Sequence, residues 1–177
     1  MEETVKRLAF HDGLTGLPNR RLFSDRLAVA MAHVKRNRRK LCVIILDLDK
    51  FKLVNDTLGH PVGDRLLQAA GERLSNILRM EDTVARIGGD EFMLLLPEIN
   101  RDEDVIVVAE RILEAFQQPF KVDGYELHVT TSVGYAIYPD DGEDVDTLIK
   151  NSDIAMYSAK ELGRNRYQRF LPVQNIE

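Results

Sequence analysis

Two acidic segments are the first candidates for chemistry in this sequence. Asp47-Leu48-Asp49 comes directly after the apolar run 41–46, where the chain leaves a buried strand. We expect the two carboxylates to point in different directions, one towards a site and one towards the following loop. Carboxylate oxygens at a strand end suit Mg²⁺, which binds one or two carboxylates together with substrate phosphates. The same acids could instead cap a helix that begins near Lys50.

The second acidic segment follows a pair of glycines within residues 86–92. Gly88 and Gly89 allow the backbone to approach a ligand closely, and Asp90 and Glu91 place two acids beside them. Adjacent carboxylates repel each other, and a bound cation would remove that repulsion. A metal site and an acidic hairpin turn are therefore both consistent with this segment.

Cationic and polar side chains that could bind a nucleotide occur in two other regions. Lys160 and Arg164 are four residues apart, so we expect them to share one helix face, where they could clamp phosphates or complement the helix dipole. Lys52 allows the same two interpretations. The first acidic segment is followed by Asn55, His60 and Asp64. Their amide, imidazole and carboxylate groups could form hydrogen bonds with the edge of a guanine, or they could instead stabilise turns and helix caps.

Arg79 and Asp82 lie between a predicted helix and a predicted hairpin. An arginine can donate two hydrogen bonds to a phosphate or a guanine, and an aspartate can accept from the N–H groups of the base. A surface ion pair would have the same spacing. The basic run 35–40 is interpreted as a solvated helix end and loop, with weak attraction to a membrane or a nucleotide as the alternative. The sequence contains no Walker motif, no dinucleotide-binding fingerprint and no His/Cys metal spacing.

The composition is that of one soluble domain. The chain has 177 residues, and 44% of them are hydrophobic, which is enough to bury a single core. The formal net charge of −5 argues against nucleic-acid binding. No apolar run is longer than the six residues of 41–46, which is far shorter than the roughly 20 residues that span a membrane. We expect a cytoplasmic domain over residues 11–170, with an N-terminal linker or signalling-helix end at 1–10 and a C-terminal tail at 171–177.

Hydrophobic periodicity predicts the elements that must position these residues. Apolar residues at helical spacing predict helices over 19–36, 62–78, 104–116 and 145–162, the last ended by Gly163. The predicted strands are 41–46, 126–138 and a hairpin of 83–87 and 91–96 that is closed by Pro97. Helices and strands in this mixed order predict an α+β fold, in which helices cover a sheet.

Several segments together resemble one known family. Residues 88–92, Gly-Gly-Asp-Glu-Phe, resemble the motif that names the GGDEF family of diguanylate cyclases. The opening segment 12–20, the block 47–60 and the closing segment 155–165 are similar to the same family and occur in the same order. The resemblance covers nearly the whole chain.

This resemblance implies a fold and a reaction. The fold would be palm-like, of the nucleotidyl-cyclase and polymerase type, with a central five-stranded mixed sheet flanked by helices. The reaction would condense two GTP molecules into cyclic di-GMP with release of two pyrophosphates, and it would require Mg²⁺, with Mn²⁺ as a substitute. Because each domain would hold one GTP, catalysis would require a homodimer.

The resemblance also implies roles for individual residues. Asp47, the backbone carbonyl of Leu48 and Asp90 would hold the metal with support from Glu91, and Asp90 would assist deprotonation of the attacking hydroxyl. The phosphates would contact Lys52, Lys160 and Arg164 near Gly88 and Gly89. The guanine would contact Asn55 and Asp64, and His60 would line its pocket. Arg79 and Asp82 would form an inhibitory site for the product.

The alternative from a different class is a catalytically inactive receptor for GTP or cyclic di-GMP. Inactive members of the family usually lose the acids of the hairpin, and this chain retains them. Residues 56–60 and 167–172 also resemble cyclase domains that precede a phosphodiesterase EAL domain. We therefore expect sensor or EAL domains as neighbours in a longer protein, which could be tethered to a membrane.

Overall fold

A central five-stranded sheet organises the part of the chain that the computed structural model describes, residues 8–172. The strands in chain order are β1 (Lys40–Leu48), β2 (Thr83–Gly88), β3 (Glu91–Ile99), β4 (Phe120–Val122), β5 (Tyr125–Leu127), β6 (Thr131–Tyr138) and β7 (Arg166–Arg169). The central sheet has the order β2-β3-β1-β6-β7, and β4 and β5 form a separate pair. Only β6 and β7 pair in parallel within the central sheet. The expected five-stranded mixed sheet is confirmed.

Helices cover both faces of this sheet. They are α1 (Arg20–Asn37), α2 (Phe51–Leu58), α3 (His60–Ile77), α4 (Glu103–Ala115) and α5 (Val145–Glu161). Residues 8–10 are also helical, while the rest of the predicted N-terminal linker, 1–7, and the tail residues 173–177 lie outside the described residues. No helix of the described chain has the length and apolar composition needed to cross a bilayer.

The apolar run of β1 is buried because both of its faces are covered. Alternate residues of a strand point to opposite faces. Cys42, Ile44 and Leu46 pack in one core with α3 and α4, whereas Val43 and Ile45 pack in a second core with α1 and α5. A continuous apolar run is typical of a strand covered on both sides, and the prediction of such a strand at 41–46 is confirmed.

Two predicted boundaries are wrong. The predicted strand 126–138 is interrupted, because β5 pairs only with β4 and the chain enters the central sheet at β6. Pro97 does not close the hairpin but lies inside β3, opposite the register shift between Lys40 and Cys42. A bulge removes the need for a ladder hydrogen bond at this point, which is why a proline is tolerated there.

Close packing between β6 and α5 provides a test of the fold. Gly134 lies against the helix backbone, and a Cβ atom there would collide with the Met156 amide nitrogen and lie 2.5 Å from the carbonyl carbon of Ala155. Gly134→Ala is expected to lower the free energy of unfolding by about 1–3 kcal/mol, because the helix must move away from the strand. Urea unfolding measures this. Gly13→Ala is the control, since a Cβ atom at Gly13 meets nothing within 4 Å; equal midpoints for both variants would contradict the prediction.

Candidate active site

The two acidic segments meet at one end of the β1·β3 pair. Asp47 lies directly opposite Glu91 in the antiparallel register. Residues that face each other in this way share one face of the sheet, with Cβ atoms about 4.5–5.5 Å apart. The neighbouring Asp90 is tied to the same strand end, because its carbonyl accepts a 3.3 Å hydrogen bond from the Leu48 N–H. The predicted convergence of the strand end and the glycine turn is therefore present in the structure.

The carboxylates at this junction disfavour one another's ionisation. Burial raises the pKa of Asp47, and the charges of Asp90 and Asp49 raise it further, although Lys160 acts in the opposite direction. Burial likewise raises the pKa of Asp90. The pKa of Glu91 is raised by burial and then by the charges of Asp153, Asp47 and Asp90. A cation at this junction would therefore be bound favourably.

The donor set fits Mg²⁺ when a substrate phosphate completes it. Asp47 Oδ1 is buried and has no hydrogen-bond partner among residues 8–172, so one carboxylate oxygen is available as a ligand. Residues 8–172 contain no group of three or more His, Cys, Asp or Glu side chains arranged to hold a metal by themselves. Mg²⁺ usually binds through one or two carboxylates and substrate phosphates rather than an all-protein cage. Asp47 and Asp90 supply such carboxylates.

The glycine turn between β2 and β3 leaves open space beside the acids. Gly89 has a φ of +51° and Gly88 a φ of +156°, and a Cβ atom on either would meet no atom of residues 8–172 within 4 Å. The Arg86 guanidinium fixes the turn by donating to the Gly89 carbonyl at 2.8 and 3.0 Å. Arg86 also pairs with Asp12 at 2.9 Å. The prediction overlooked this anchor, although Asp12 belongs to a segment quoted for the family resemblance and Arg86 to the acidic segment 86–92.

Lys160 reaches the acidic junction from α5. Its ammonium group forms an ion pair with Asp47 Oδ2. Burial lowers the pKa of Lys160, but the hydrogen bond to Asp47 and the charges of Asp47 and Asp90 outweigh burial and leave that pKa above its ordinary value. Lys160 therefore neutralises part of the negative charge at the junction.

The expectation that Lys160 and Arg164 share a helix face is wrong. Helix α5 ends at Glu161, and Gly163 then takes a φ of +124°. Arg164 follows in the left-handed region with a φ of +63°. The predicted glycine stop is confirmed, and that stop is the reason why Arg164 lies on a turn instead of the helix.

The residues proposed for guanine lie on α2 and α3. Asn55 Oδ1 is buried, and no residue in the described part of the chain forms a hydrogen bond with it. The Asn55 amide packs against Gly63, where a Cβ atom would lie 2.9 Å from Asn55 Cγ. Because Asp64 follows Gly63 in the chain, this packing places Asn55 close to Asp64 along α3. Asp64, His60 and Lys52 are exposed. Within residues 8–172, neither His60 nor Lys52 forms a hydrogen bond with the acids of the junction. The described structure therefore shows no hydrogen-bonded contact between these two residues and the junction.

Arg79 and Asp82 occupy the loop between α3 and β2, as predicted. Asp82 accepts a 2.9 Å hydrogen bond from the Arg79 backbone N–H, and burial raises the pKa of Asp82. Both residues line a cavity of about 300 Å³, together with Arg111 of α4. The sequence offered no signal for Arg111, because it lies on a separate helix that only the tertiary structure brings to the loop.

Comparison with known proteins identifies the family. Residues 9–166 match the family described as "Diguanylate cyclase, GGDEF domain". The chain belongs to this family. The GGDEF domain described here is 45% identical over 161 residues to MucR of Pseudomonas aeruginosa, a bifunctional diguanylate cyclase/cyclic di-GMP phosphodiesterase. That match covers 91% of this chain and 23% of MucR.

Solved GGDEF domains share the fold. The domain of TpbB from Pseudomonas aeruginosa is 36% identical, with a TM-score of 0.88 and coverage of 89% of this chain and 99% of that one. DgcB from Caulobacter crescentus, solved with its coiled coil and cyclic di-GMP, is 31% identical, with a TM-score of 0.85 and coverage of 95% and 89%. The chain spans between 21% and 36% of the length of the curated GGDEF relatives MucR, NbdA, YkoW and TpbB.

Repulsion among the acids of the GGDEF domain predicts that one neutral substitution stabilises the metal-free protein. The folded-state pKa of Glu91 is raised, so its ionised form destabilises the fold, and stability falls as the pH rises through that pKa. Glu91→Gln should raise the melting temperature in EDTA at pH 7–8. The gain should vanish towards about pH 4, near the ordinary pKa of a glutamate, where both proteins are uncharged at this position.

Thermal melts from pH 4 to 8 test this. Glu114→Gln is the matched control, because Glu114 is exposed on α4 and loses the same charge. The control is expected to change the free energy of unfolding by less than about 0.5 kcal/mol at any pH. A gain for Glu91→Gln that is independent of pH would contradict the electrostatic explanation.

Proposed function

We propose that this domain is a diguanylate cyclase that condenses two GTP molecules into cyclic di-GMP and two pyrophosphates. The observation that carries the proposal is the junction of Asp47, Asp90 and Glu91, which places three acids beside an exposed glycine turn. Such a junction is unfavourable without a cation. Mg²⁺ and a triphosphate together would supply the positive charge and the missing oxygen ligands.

The proposed chemistry is two reciprocal attacks, in which the ribose 3′-hydroxyl of each GTP attacks the α-phosphorus of the other. In each attack one P–O bond forms, one bond to pyrophosphate breaks, and one hydroxyl proton must leave. In this type of transfer, positioning and charge neutralisation dominate. Asp47, the Leu48 carbonyl and Asp90 are the proposed Mg²⁺ ligands, with Glu91 in support. When bound, Mg²⁺ or Mn²⁺ would neutralise charge at the phosphates and favour ionisation of the hydroxyl.

The domain's own groups would then position the substrate. Asp90 is the proposed acceptor of the hydroxyl proton, since burial raises its pKa and a higher pKa makes its carboxylate a better base. Lys160 would exchange its contact with Asp47 for a phosphate oxygen, assisted by Arg164 and Lys52. The open space above Gly88 and Gly89 would admit the phosphates.

The guanine is proposed to bind between α2 and α3. The buried Asn55 oxygen, which has no partner among the described residues, could accept a hydrogen bond from the base. Asp64 would accept from the base N–H groups, and His60 would line the pocket. Because each domain provides one such pocket, two copies would meet face to face, so that the hydroxyl of one GTP reaches the α-phosphate of the other.

The metal-site proposal predicts the effect of a near-isosteric change. Asp90→Asn removes a carboxylate ligand and the proposed proton acceptor, so it should reduce cyclic di-GMP formation from GTP and Mg²⁺ at least about 100-fold. Chromatographic quantification of the product measures the rate, with light scattering to establish that the sample is dimeric.

The exposed-site variant Glu114→Gln should retain the wild-type rate. Wild-type protein that is dimeric, binds GTP and forms no cyclic di-GMP would reject the cyclase proposal. That result would favour a receptor of GTP or cyclic di-GMP, with the output supplied by the remainder of a longer protein.

Product feedback is proposed at the cavity that contains Arg79, Asp82 and Arg111. Two guanidinium groups and one carboxylate could bind phosphates and guanine edges together. DgcB, which shares the fold, was solved with cyclic di-GMP. Binding of the product here would hold the domains in a non-productive arrangement.

Arg79→Ala should therefore relieve inhibition by added cyclic di-GMP and leave the initial rate at low product concentration near the wild-type value. Loss of a bidentate arginine contact is expected to raise the half-inhibitory concentration about tenfold or more. Arg111→Ala should act in the same direction. Arg36→Ala, on the exposed face of α1, is the matched control. Unchanged inhibition in Arg79→Ala would remove this residue from the inhibitory site.

A further inference from the structure

Asp49 is a buried carboxylate two residues beyond the proposed metal ligand Asp47. Asp49 is 5% exposed, and both of its carboxylate oxygens accept hydrogen bonds. Oδ1 accepts a 2.6 Å hydrogen bond from Ser132 Oγ. Oδ2 accepts from Thr130 Oγ1 at 2.6 Å and from the Asn165 backbone N–H at 3.1 Å. One carboxylate thus joins the end of β1, the beginning of β6 and the turn after α5.

That turn requires support from outside itself. Arg164 and Asn165 have φ values of +63° and +49°. Residues with side chains rarely adopt this region, and two in succession persist only when the surroundings hold them there. The Asn165 N–H donates to Asp49, and a hydrogen bond to a charged acceptor is stronger than one between neutral groups.

We infer that Asp49 is a positioning residue that fixes the Arg164 turn relative to the metal-binding end of β1. The inference rests on the proposed function, in which Arg164 contacts the triphosphate. Asp47 and Asp49 leave the same strand end, so the hydrogen bond to Asn165 sets the distance between the metal ligand and the phosphate-binding arginine. Asp49 itself touches no reacting atom in this assignment.

If Asp49 acts by positioning Arg164, the loss of affinity caused by replacing Asp49 should depend on the number of phosphates in the ligand. Binding can be measured by calorimetry in Mg²⁺ with 3′-deoxy-GTP, which lacks the attacking hydroxyl, and with GMP. Asp49→Ala should weaken 3′-deoxy-GTP binding about tenfold, because Arg164 is released, and change GMP binding less than twofold. General damage to the domain would weaken both ligands equally and would overturn the inference.

The coupling between Asp49 and Arg164 is the sharper test. In an Arg164→Ala background the turn no longer carries a phosphate contact, so Asp49→Ala should cause no further loss of 3′-deoxy-GTP affinity. Ser132→Ala is the matched control, since it removes a bond on Oδ1 and leaves both bonds on Oδ2. Independent, multiplicative effects of Asp49→Ala and Arg164→Ala would overturn the inference.

A conservative variant keeps the test decisive if Asp49→Ala does not fold. Asp49→Asn retains one oxygen for the Asn165 N–H but loses the charge, and it should weaken 3′-deoxy-GTP binding by about threefold, less than the alanine variant. Unchanged affinity in Asp49→Asn would reject the positioning role. Failure of the proposed function is a separate result, namely wild-type protein that binds 3′-deoxy-GTP and makes no cyclic di-GMP from GTP.

Discussion

Repulsion among carboxylates at the end of the β1·β3 pair is the constraint around which the site is arranged. Asp47 and Glu91 are direct cross-strand neighbours, and Asp90 adjoins them. Like charges in this position destabilise a sheet, and burial raises the pKa of each acid. Lys160 relieves the repulsion only in part, because it contacts one oxygen of Asp47, and the other oxygen has no partner within the described structure.

The surrounding structure holds the acids in place against this repulsion. Both faces of β1 are packed, so the strand cannot move away from β3 without opening two cores. Arg86 fixes the glycine turn through the Gly89 carbonyl, and Asp49 fixes the turn that carries Arg164. Preorganised groups of this kind need little rearrangement when charge develops on a substrate. The repulsion among the three acids is thus a consequence of the arrangement that suits the proposed chemistry.

Two surfaces of the domain have separate proposed tasks. The junction at the end of β1 and the start of β3 is the proposed substrate site, whereas Arg79, Asp82 and Arg111 line a cavity between α4 and the loop before β2. Strand β2 links the two directly, since it begins just after Asp82 and ends at Gly88. A ligand that restrains the loop therefore acts on an element that continues into the glycine turn.

The sequence by itself determined the long helices, the buried strand β1, the acidic hairpin and the family, because periodicity and contiguous motifs are local properties. Only the tertiary structure decided the rest. Strands β4 and β7 are too short for a pattern and exist through their partners. The Lys160 contact with Asp47, the three bonds of Asp49 and the approach of Arg111 join residues far apart in the chain. Contacts of this kind depend on how the helices pack on the sheet, which no local spacing encodes.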